Sequence, residues 1–420
     1  MPLSAAKIRR SKRQNEKHFG VYYTNDHERR EDMQTYKLYD YEPYKTEFRA
    51  KVTGITKTED GNTDVILDKT LFFPEEGGQS SDTGTLGGYE VLHVSIENGI
   101  IIHTLSGDAC DLKPGLETAG VINWEHRFSN MQNHTAEHIL SGLLHERWHS
   151  ENKGFHLSDS IVTLDTEKEL EASDLKKLEE EANRIVWSDF PVTCRYCEPE
   201  ELKSIEYRSK IDLKENVRLV TIPGVDICAC CAPHVGRTGE IGIIKIIKAI
   251  RYKGGMRLTI LAGKRAYEYL SFLQDSTDNI SHLLSESSDK ITDAVKRILD
   301  ENNSLRIKLK NTEAEKLSEK ISSLEKDIPD AILFTGDIDS LVQRNAVNSL
   351  AKEHKGICAV FAKNGEDSYK YILSYPGGDA REISSMLQEK LGARGGGSKE
   401  MVQGSVTAKE DQLLKLLAAL

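Results

Sequence analysis

The sequence has no run of eighteen apolar residues, so no part of its 420 residues is expected to cross a membrane. Its basic first segment, MPLSAAKIRRSKR, lacks the apolar stretch of a secretory signal, and a cytoplasmic protein is therefore expected. Cysteine is scarce, and the seven residues are an odd, clustered set. This usage favours thiolate ligands in a reducing compartment over a framework of disulfides.

The sequence also has no excess of positive charge. The formal net charge is −11, which argues against a nonspecific nucleic-acid binder. One segment differs, because the residues from Ile241 to Arg265 include no acid and seven bases: Lys245, Lys248, Arg251, Lys253, Arg257, Lys264 and Arg265. This segment indicates either a local phosphate-binding track or a solvated sheet face. Its first four basic residues are the candidate nucleic-acid contacts.

The patterns of apolar residues predict an α+β multidomain protein with five segments. The predicted segments are a disordered extension (1–32), a small N-terminal β-barrel (33–125), an α+β domain (126–262), a helical coiled-coil linker (263–328) and a C-terminal α/β domain (329–420). A helix is expected from residue 127 to 149 and a hairpin that turns at Gly254 and Gly255. The coiled-coil pattern has a break and is expected to end at Pro329.

Four residues form the most informative pattern. His134 and His138 in HTAEH are one helical turn apart, and Cys230 and His234 in CCAPH repeat that spacing about ninety residues later. Imidazole and thiolate are preferred zinc ligands, and three nitrogens with one sulfur complete a tetrahedron. The sequence therefore predicts a Zn²⁺ site shared by a helix and a distant loop.

Two other metal chemistries are considered for the same residues. A zinc ribbon would use the CxxC pair Cys194 and Cys197 with the later cysteines, but VTCRYC alternates like a strand and sends those two side chains to opposite faces. A metalloprotease would need HExxH, in which the glutamate follows the first histidine. Here Glu137 precedes the second histidine, which predicts that it lies on a different face of the helix.

A family resemblance covers roughly residues 40–420. The segments LDKTLFFPEEGGQSSDTG, MQNHTAEHIL, GFHLSD and CCAPHVGRTGEIGIIKI occur in the order found in the editing module of alanyl-tRNA synthetases. The free-standing AlaX editing proteins resemble this sequence more closely. RGGGSKEMVQGS, after the coiled coil, resembles the glycine-rich motif of the DHHA1 domain, so the long form of AlaX is the expected relative. A full synthetase is not expected at this length.

The resemblance implies hydrolysis of tRNA for alanine that carries serine or glycine, with His134, His138, Cys230 and His234 as zinc ligands. The loop at Gly77, Gly78 and Gln79 would lie against the editing pocket, and GFHLSD would bring His156 near the aminoacyl group. The candidate catalytic and pocket residues are His134, His138, Gln79, Thr70 and His156. The C-terminal domain would hold tRNA, with Arg394, Gly395, Gly396 and Gly397 as contacts, or form a homodimer together with the coiled coil.

The sequence departs from the family at three places. Glu76 replaces the first of three glycines, Ser80 replaces a proline, and Cys-Ala-Pro separates Cys230 from His234. A tRNA-binding module with a purely structural zinc is the alternative function. A phosphoesterase is not expected, because the sequence has no DHH cluster for manganese.

Overall fold

The chain is described by a computed structural model that covers residues 34–209, 217–325 and 327–419. It forms two compact units, Met1–Asp275 and Ser276–Leu420. Both contain helices and sheets, so the mixed α+β multidomain class is confirmed. The predicted extension at residues 1–32 lies outside the described residues, and the division into five segments stays a prediction. No helix in the described part of the chain is long and apolar enough to span a bilayer.

A closed barrel begins the first unit, with its strands in the order β2-β3-β7-β6-β5-β8. The barrel strands are β2 (Glu47–Lys57), β3 (Thr63–Leu67), β5 (Gly84–Leu86), β6 (Tyr89–Glu97), β7 (Ile100–Leu105) and β8 (Glu117–Ile122), and β1 (Tyr36–Lys37) pairs with β4 (Lys69–Thr70) outside it. In β2 the side chains of Phe48, Ala50 and Val52 are buried while the residues between them face solvent. This period of two fills the interior and confirms the predicted small barrel.

A long helix, α1 (Trp124–Trp148), follows the barrel. It begins three residues earlier than predicted because the Asn123 side chain accepts a hydrogen bond from the backbone N–H of His126 and caps the helix. Every residue from Asn130 to Leu144 is buried. At Gly142 a Cβ atom would collide with the carbonyl of Val225, so this glycine lets the segment before Asp226 approach the helix closely.

Two sheets complete the first unit. The four-stranded sheet has the order β14-β15-β10-β9, and the three-stranded sheet the order β11-β12-β13. The elements are β9 (Asn152–Leu157), β10 (Val162–Thr166), α2 (Ala172–Trp187), β11 (Thr193–Cys197), α3 (Pro199–Leu202), β12 (Val217–Ile222), β13 (Asp226–Ala229), β14 (Ile244–Tyr252) and β15 (Gly255–Ala262). Leu140, Leu164, Val186 and Leu258 share one apolar core, which packs both helices on the four-stranded sheet. The predicted hairpin is confirmed, with its turn at Lys253 and Gly254.

The helical segment consists of α4 (Gly263–Leu284) and α5 (Ile291–Ser322). The break in the apolar pattern was expected between Leu309 and Leu317, but α5 is continuous there and the chain leaves the helix between Leu284 and Ile291 instead. The helix ends at Ser322 rather than next to Pro329, because the Ser322 and Ser323 hydroxyls bond back to carbonyls of the last turn. Within the chain, Leu305 and Leu309 are 63% and 60% exposed. A coiled coil with another chain stays a prediction.

The second unit ends in a five-stranded sheet with the order β16-β17-β18-β20-β19. Its elements are β16 (Ala331–Thr335), α6 (Ser340–Glu353), β17 (Cys358–Lys363), β18 (Ser368–Ser374), α7 (Ala380–Leu391), β19 (Arg394–Gly397), β20 (Met401–Thr407) and α8 (Glu410–Leu417). Only β16 and β17 pair in parallel. The glycine-rich run is an antiparallel hairpin, a pairing that its composition did not predict.

Candidate metal centre and its surroundings

The structure brings the four predicted ligands together. One donor atom from each of His134, His138, Cys230 and His234 lies within 4.8 Å of the others. Cys230 Sγ is 3.6 Å from Nε2 of His134 and 3.4 Å from Nε2 of His234. Tetrahedral zinc with bonds of about 2.05 Å to nitrogen and about 2.3 Å to sulfur would hold such atoms about 3.6 Å apart. The donor set therefore fits a tetrahedral ion, although the identity of that ion is not shown.

Each of the three histidines has an acceptor at its other ring nitrogen. Nδ1 of His134 lies 2.7 Å from Oε1 of Gln79, and Nδ1 of His138 lies 2.8 Å from Oδ2 of Asp226. Nδ1 of His234 lies 3.0 Å from the Thr135 hydroxyl, which itself donates to the Met131 carbonyl. A proton on each Nδ1 satisfies all three contacts and leaves each Nε2 lone pair for a metal.

Asp226 is a residue that the sequence analysis missed. Its carboxylate accepts from Nε and Nη2 of Arg208 at 2.7 and 2.8 Å as well as from His138. All of these groups are largely buried. Asp226 lies four residues before Cys230, but a single aspartate has no spacing that would mark it as a partner of a histidine in another element.

Electrostatics favour a thiolate at this centre. Burial alone would raise the pKa of the Cys230 thiol, but the His134 imidazole beside it holds that pKa well below its ordinary value. Burial likewise opposes the charged form of His138, and its hydrogen bond to Asp226 reverses this effect and raises the pKa. Burial lowers the pKa of His234 to about 3, so this imidazole is neutral. Thiolate and neutral imidazole are the forms that bind a metal.

The neighbouring thiol of Cys231 is not part of the ligand set. Burial raises its pKa, and the negative charges of Cys230 and Glu76 raise it further. The protonated thiol lies beside the glycine-rich turn, where a Cβ atom on Gly77 would be 3.6 Å from its sulfur. The structure thus selects Cys230 as the sulfur donor, in line with its spacing to His234.

The cysteines of the possible zinc ribbon do not meet. Cys194 packs against the core that contains α1, whereas Cys197 lies in a separate cluster with Val217 and Leu219. Among the residues that the structure describes, neither belongs to a group able to hold a metal. The alternation of β11 separates them, as the sequence indicated.

The glycine-rich loop is a two-residue turn. Glu76 and Gln79 exchange backbone hydrogen bonds, and Gly77 and Gly78 between them have φ of +63° and +86°. The turn is held against β9, because Leu157 bonds with both Gly78 and Ser80. The sequence predicts that this backbone approaches a ligand closely, and the close approach seen in the structure is to β9. A Cβ atom on Gly78 would collide there with the Phe155 carbonyl. The turn places Gln79 so that its side-chain Oε1 contacts Nδ1 of His134.

Two of the predicted pocket residues lie elsewhere. Thr70 is fully buried in the barrel core, where its hydroxyl lies 2.9 Å from Nε2 of His103 and accepts from the Phe72 N–H. His156 is exposed on β9, and the neighbouring Phe155 contacts His134 with a ring separation of 4.8 Å. Because successive strand residues point to opposite faces, the ring that reaches the centre belongs to Phe155.

Glu137 lies nearer to the centre than its position in the sequence predicts. Its Oε2 is 3.9 Å from Nε2 of His138, and its Oε1 accepts from the Ser141 hydroxyl at 2.5 Å. Only 4% of the residue is exposed. Glu137 and His138 are adjacent on α1 and leave the helix in different directions, but the flexible Glu137 carboxylate folds back toward the histidine.

The predicted basic track is largely paired. Lys245 contacts Glu179 at 2.5 Å, Arg251 contacts Glu169 at 3.0 Å, and Lys253 lies 5.1 Å from the centre of the Tyr252 ring. The segment itself has no acidic residue, but its acidic partners lie in α2 and in the residues just before α2. Lys248 is exposed on β14, and Arg394, Gly395, Gly396 and Gly397 are exposed on β19. Their contacts with nucleic acid stay a prediction.

Comparisons with known proteins converge on one enzyme system. Residues 217–258, which include Cys230 and His234, match the family described as the threonyl and alanyl tRNA synthetase second additional domain. Residues 3–126 match the family described as tRNA synthetases class II (A). An alanine–tRNA ligase of Methanococcus vannielii is 29% identical over 389 residues, which are 88% of this chain and 41% of that protein.

A shorter relative matches over nearly its whole length. The alanyl-tRNA editing protein AlaX-L of Pyrococcus horikoshii is 28% identical over 397 residues, 90% of this chain and 96% of that protein. The crystal structure of the C-Ala domain of Aquifex aeolicus alanyl-tRNA synthetase covers 21% of this chain at 17% identity with a TM-score of 0.18. The chain spans only about two fifths of the alanine–tRNA ligases, with 41% and 43% of two of them covered. It is a homologue of the alanyl-tRNA synthetase editing module.

Proposed function

We propose that this protein is a zinc-dependent hydrolase that removes serine, and also glycine, from tRNA for alanine that carries the wrong amino acid. The observation that supports this function most directly is the set of four donor atoms, whose spacing suits zinc, on a homologue of the editing module. The substrate would be the ester between the amino acid and the terminal ribose. Water adds to its carbonyl carbon, the bond to the ribose oxygen breaks, and that oxygen takes up a proton.

Zinc suits this donor set, because thiolate and imidazole are its preferred ligands. His134, His138, Cys230 and His234 would hold the ion, and three neutral imidazoles with one thiolate would leave it a net positive charge that could stabilise negative charge on a carbonyl oxygen. Gln79 and Asp226 hold the His134 and His138 rings in the orientation that directs Nε2 inward.

Glu137 is our candidate for the group that accepts the proton of the attacking water. It is a buried carboxylate whose Oε2 lies 3.9 Å from the metal-facing nitrogen of His138. Ser141 and Asn152 bond its other oxygen and fix the carboxylate in place. A general base has to lie within reach of the proton that it takes, directly or through one water.

His134→Ala tests the proposal. We expect it to abolish release of serine from seryl-tRNA for alanine while binding of uncharged tRNA changes little. Glu137→Gln should keep the metal and lower the rate of hydrolysis by about 100-fold or more, as is typical of removing a general base. Glycyl- and alanyl-tRNA serve as second substrates, and the alanyl ester should survive. Full deacylation by metal-free His134→Ala protein would overturn the proposed role of the metal.

The alternative is a tRNA-binding module with a structural zinc. One observation favours it, because four protein ligands are the number found in structural zinc sites. In that case, wild-type protein with its metal bound would bind the tRNA and leave all three aminoacyl esters intact. The same deacylation assay therefore separates the two functions.

A further inference from the structure

Four buried polar atoms, one on Tyr39 and three on the turn that contacts His134, have no hydrogen-bond partner among the described residues. They are the hydroxyl of Tyr39, Oε2 of Glu76, Nε2 of Gln79 and Oγ of Ser80. Tyr39 is only 1% exposed. Nearly all buried polar groups in native proteins are paired, and leaving one unpaired is unfavourable. Several such atoms in one region therefore indicate a place for a polar ligand.

Glu76 is held beside the metal-binding loop. A Cβ atom on the next residue, Gly77, would lie 3.6 Å from Sγ of Cys231, which directly follows the ligand Cys230. The Glu76 backbone closes the two-residue turn from which the Gln79 side chain contacts His134. Oε2 of Glu76 has no hydrogen-bond partner among the described residues.

Tyr39 approaches the same region from the segment that follows β1. Its ring packs edge-on against Phe73 at 5.4 Å, three residues before Glu76. Burial raises the pKa of Tyr39, and the neighbouring carboxylates of Asp40 and Glu76 raise it further. The hydroxyl therefore keeps its proton and has one hydrogen bond to donate in the neighbourhood of Glu76.

We propose that Glu76 binds the α-ammonium group of the aminoacyl ester and that Tyr39 recognises the side-chain hydroxyl of serine. The assignment rests on the proposed function. A seryl group offers one positively charged donor and one hydroxyl, which match one carboxylate oxygen and one phenol. An ammonium group taken out of water needs a charged or strongly polar partner, and Glu76 supplies it. Alanine would leave Tyr39 unpaired.

The Glu76 carboxylate directly precedes the two glycines of the turn. Gly77 and Gly78 have the positive φ values that the turn requires, so the turn accommodates a charged side chain at residue 76. Glu76 accordingly adds a charged group to the site while Gln79 stays on His134.

Binding of two non-hydrolysable ligands tests the role of Glu76. One is adenosine with serine joined to the 3′ position through an amide, and the other replaces the serine ammonium group with a hydroxyl. In Glu76→Gln protein, calorimetry should show about 10-fold or more weaker binding of the serine ligand, because a charge-assisted hydrogen bond is lost. Binding of the second ligand should change less than about 3-fold, since it carries no charge to lose.

Glu75→Gln is the matched control, since the adjacent Glu75 carboxylate is 64% exposed. It should bind both ligands as wild-type protein does. Metal content and circular dichroism of every variant show whether the centre and the fold are retained. If Glu76→Gln weakens both ligands equally, or neither, the assignment of Glu76 is wrong while the proposed function stands. If wild-type protein binds neither ligand, both are wrong.

Tyr39→Phe tests the second half of the proposal. It should reduce the preference for the serine ligand over the corresponding alanine ligand by about 10-fold, because the unpaired hydroxyl that penalises alanine is gone. Affinity for the alanine ligand should stay the same or increase. An unchanged preference in a folded, metal-containing variant would refute the role of Tyr39.

Discussion

Asp226 and His138 form a buried hydrogen bond of 2.8 Å that links β13 to α1. Arg208 contacts the same carboxylate and offsets the cost of burying its charge. This hydrogen bond requires Asp226 to lie close to α1. Gly142 permits that approach, because a side chain there would collide with the Val225 carbonyl. The same hydrogen bond therefore holds β13 against α1 and orients the His138 ring.

Asp226→Asn should weaken zinc binding by about 10- to 100-fold, which is typical for loss of a charged partner of a ligating histidine. Competition with a chromophoric chelator measures this affinity. The matched control is Asp60→Asn, because Asp60 lies in an exposed loop of the barrel. Equal zinc affinities of the two variants would show that Asp226 does not orient His138.

The two adjacent cysteines provide a second prediction. Cys230→Ser should lose most of its bound metal, because a hydroxyl is a much poorer zinc ligand than a thiolate. Cys231→Ser should keep a full equivalent, since the Cys231 thiol is not among the four donors. Metal analysis of both purified proteins is the measurement. Loss of metal from the Cys231 variant alone would reverse the assignment.

The turn before Gln79 should tolerate no side chain at residue 78. In Gly78→Ala the new Cβ collides with the Phe155 carbonyl at φ of +86°, so β9 and Gln79 must shift and metal binding should weaken. Gly88→Ala is the control, since Gly88 has φ of +90° and a Cβ added there would meet nothing within 4 Å. The control should lose only about 1–2 kcal/mol of stability from the left-handed backbone. If both variants lost similar amounts of metal affinity, the proposal that Gly78 positions Gln79 at His134 would be contradicted.

Stability should depend on pH through His103 in the barrel core. Burial lowers its pKa to about 4, so the neutral imidazole stabilises the fold above its ordinary pKa of 6.5. This stabilisation is lost as the pH falls from 6.5 toward 4, and the free energy of unfolding has decreased by about 2 kcal/mol at pH 5. His103→Gln should lose less stability between pH 7 and pH 5 than wild-type protein in urea unfolding.

The exposed residue His156 provides the control for this measurement. His156→Gln should show the pH dependence of the wild-type protein, because the substitution changes only a solvent-exposed side chain. An identical slope for His103→Gln and wild-type protein would mean that His103 is not responsible.

Local patterns allowed much of the molecule to be predicted. The ligand spacings, α1, the barrel and the β14–β15 hairpin all depend on periods of two or four residues, which can be read from a single sequence. Asp226 and Glu137 were missed because their roles depend on which elements approach α1. Thr70 was assigned to the pocket from its place beside a motif, although His103 holds it in the barrel core.

The basic segment shows the same limit. Its lack of acids suggested a free positive surface, but Glu179 lies about sixty-six residues away in the sequence and contacts Lys245. Charge along a chain does not report which side chains share a surface after folding. The glycine-rich hairpin in the second unit likewise depends on pairing with β18.

The order in which the four ligands are synthesised has its own consequence. His134 and His138 emerge from the ribosome first, and the cysteine and last histidine follow only after about ninety more residues. A nascent chain with α1 alone offers only two imidazoles, so an ion held by all four residues would be captured late and would join two stretches that are far apart in the sequence. Local fraying at either stretch would then release that ion, and scarcity of the metal would loosen the contact between the two stretches.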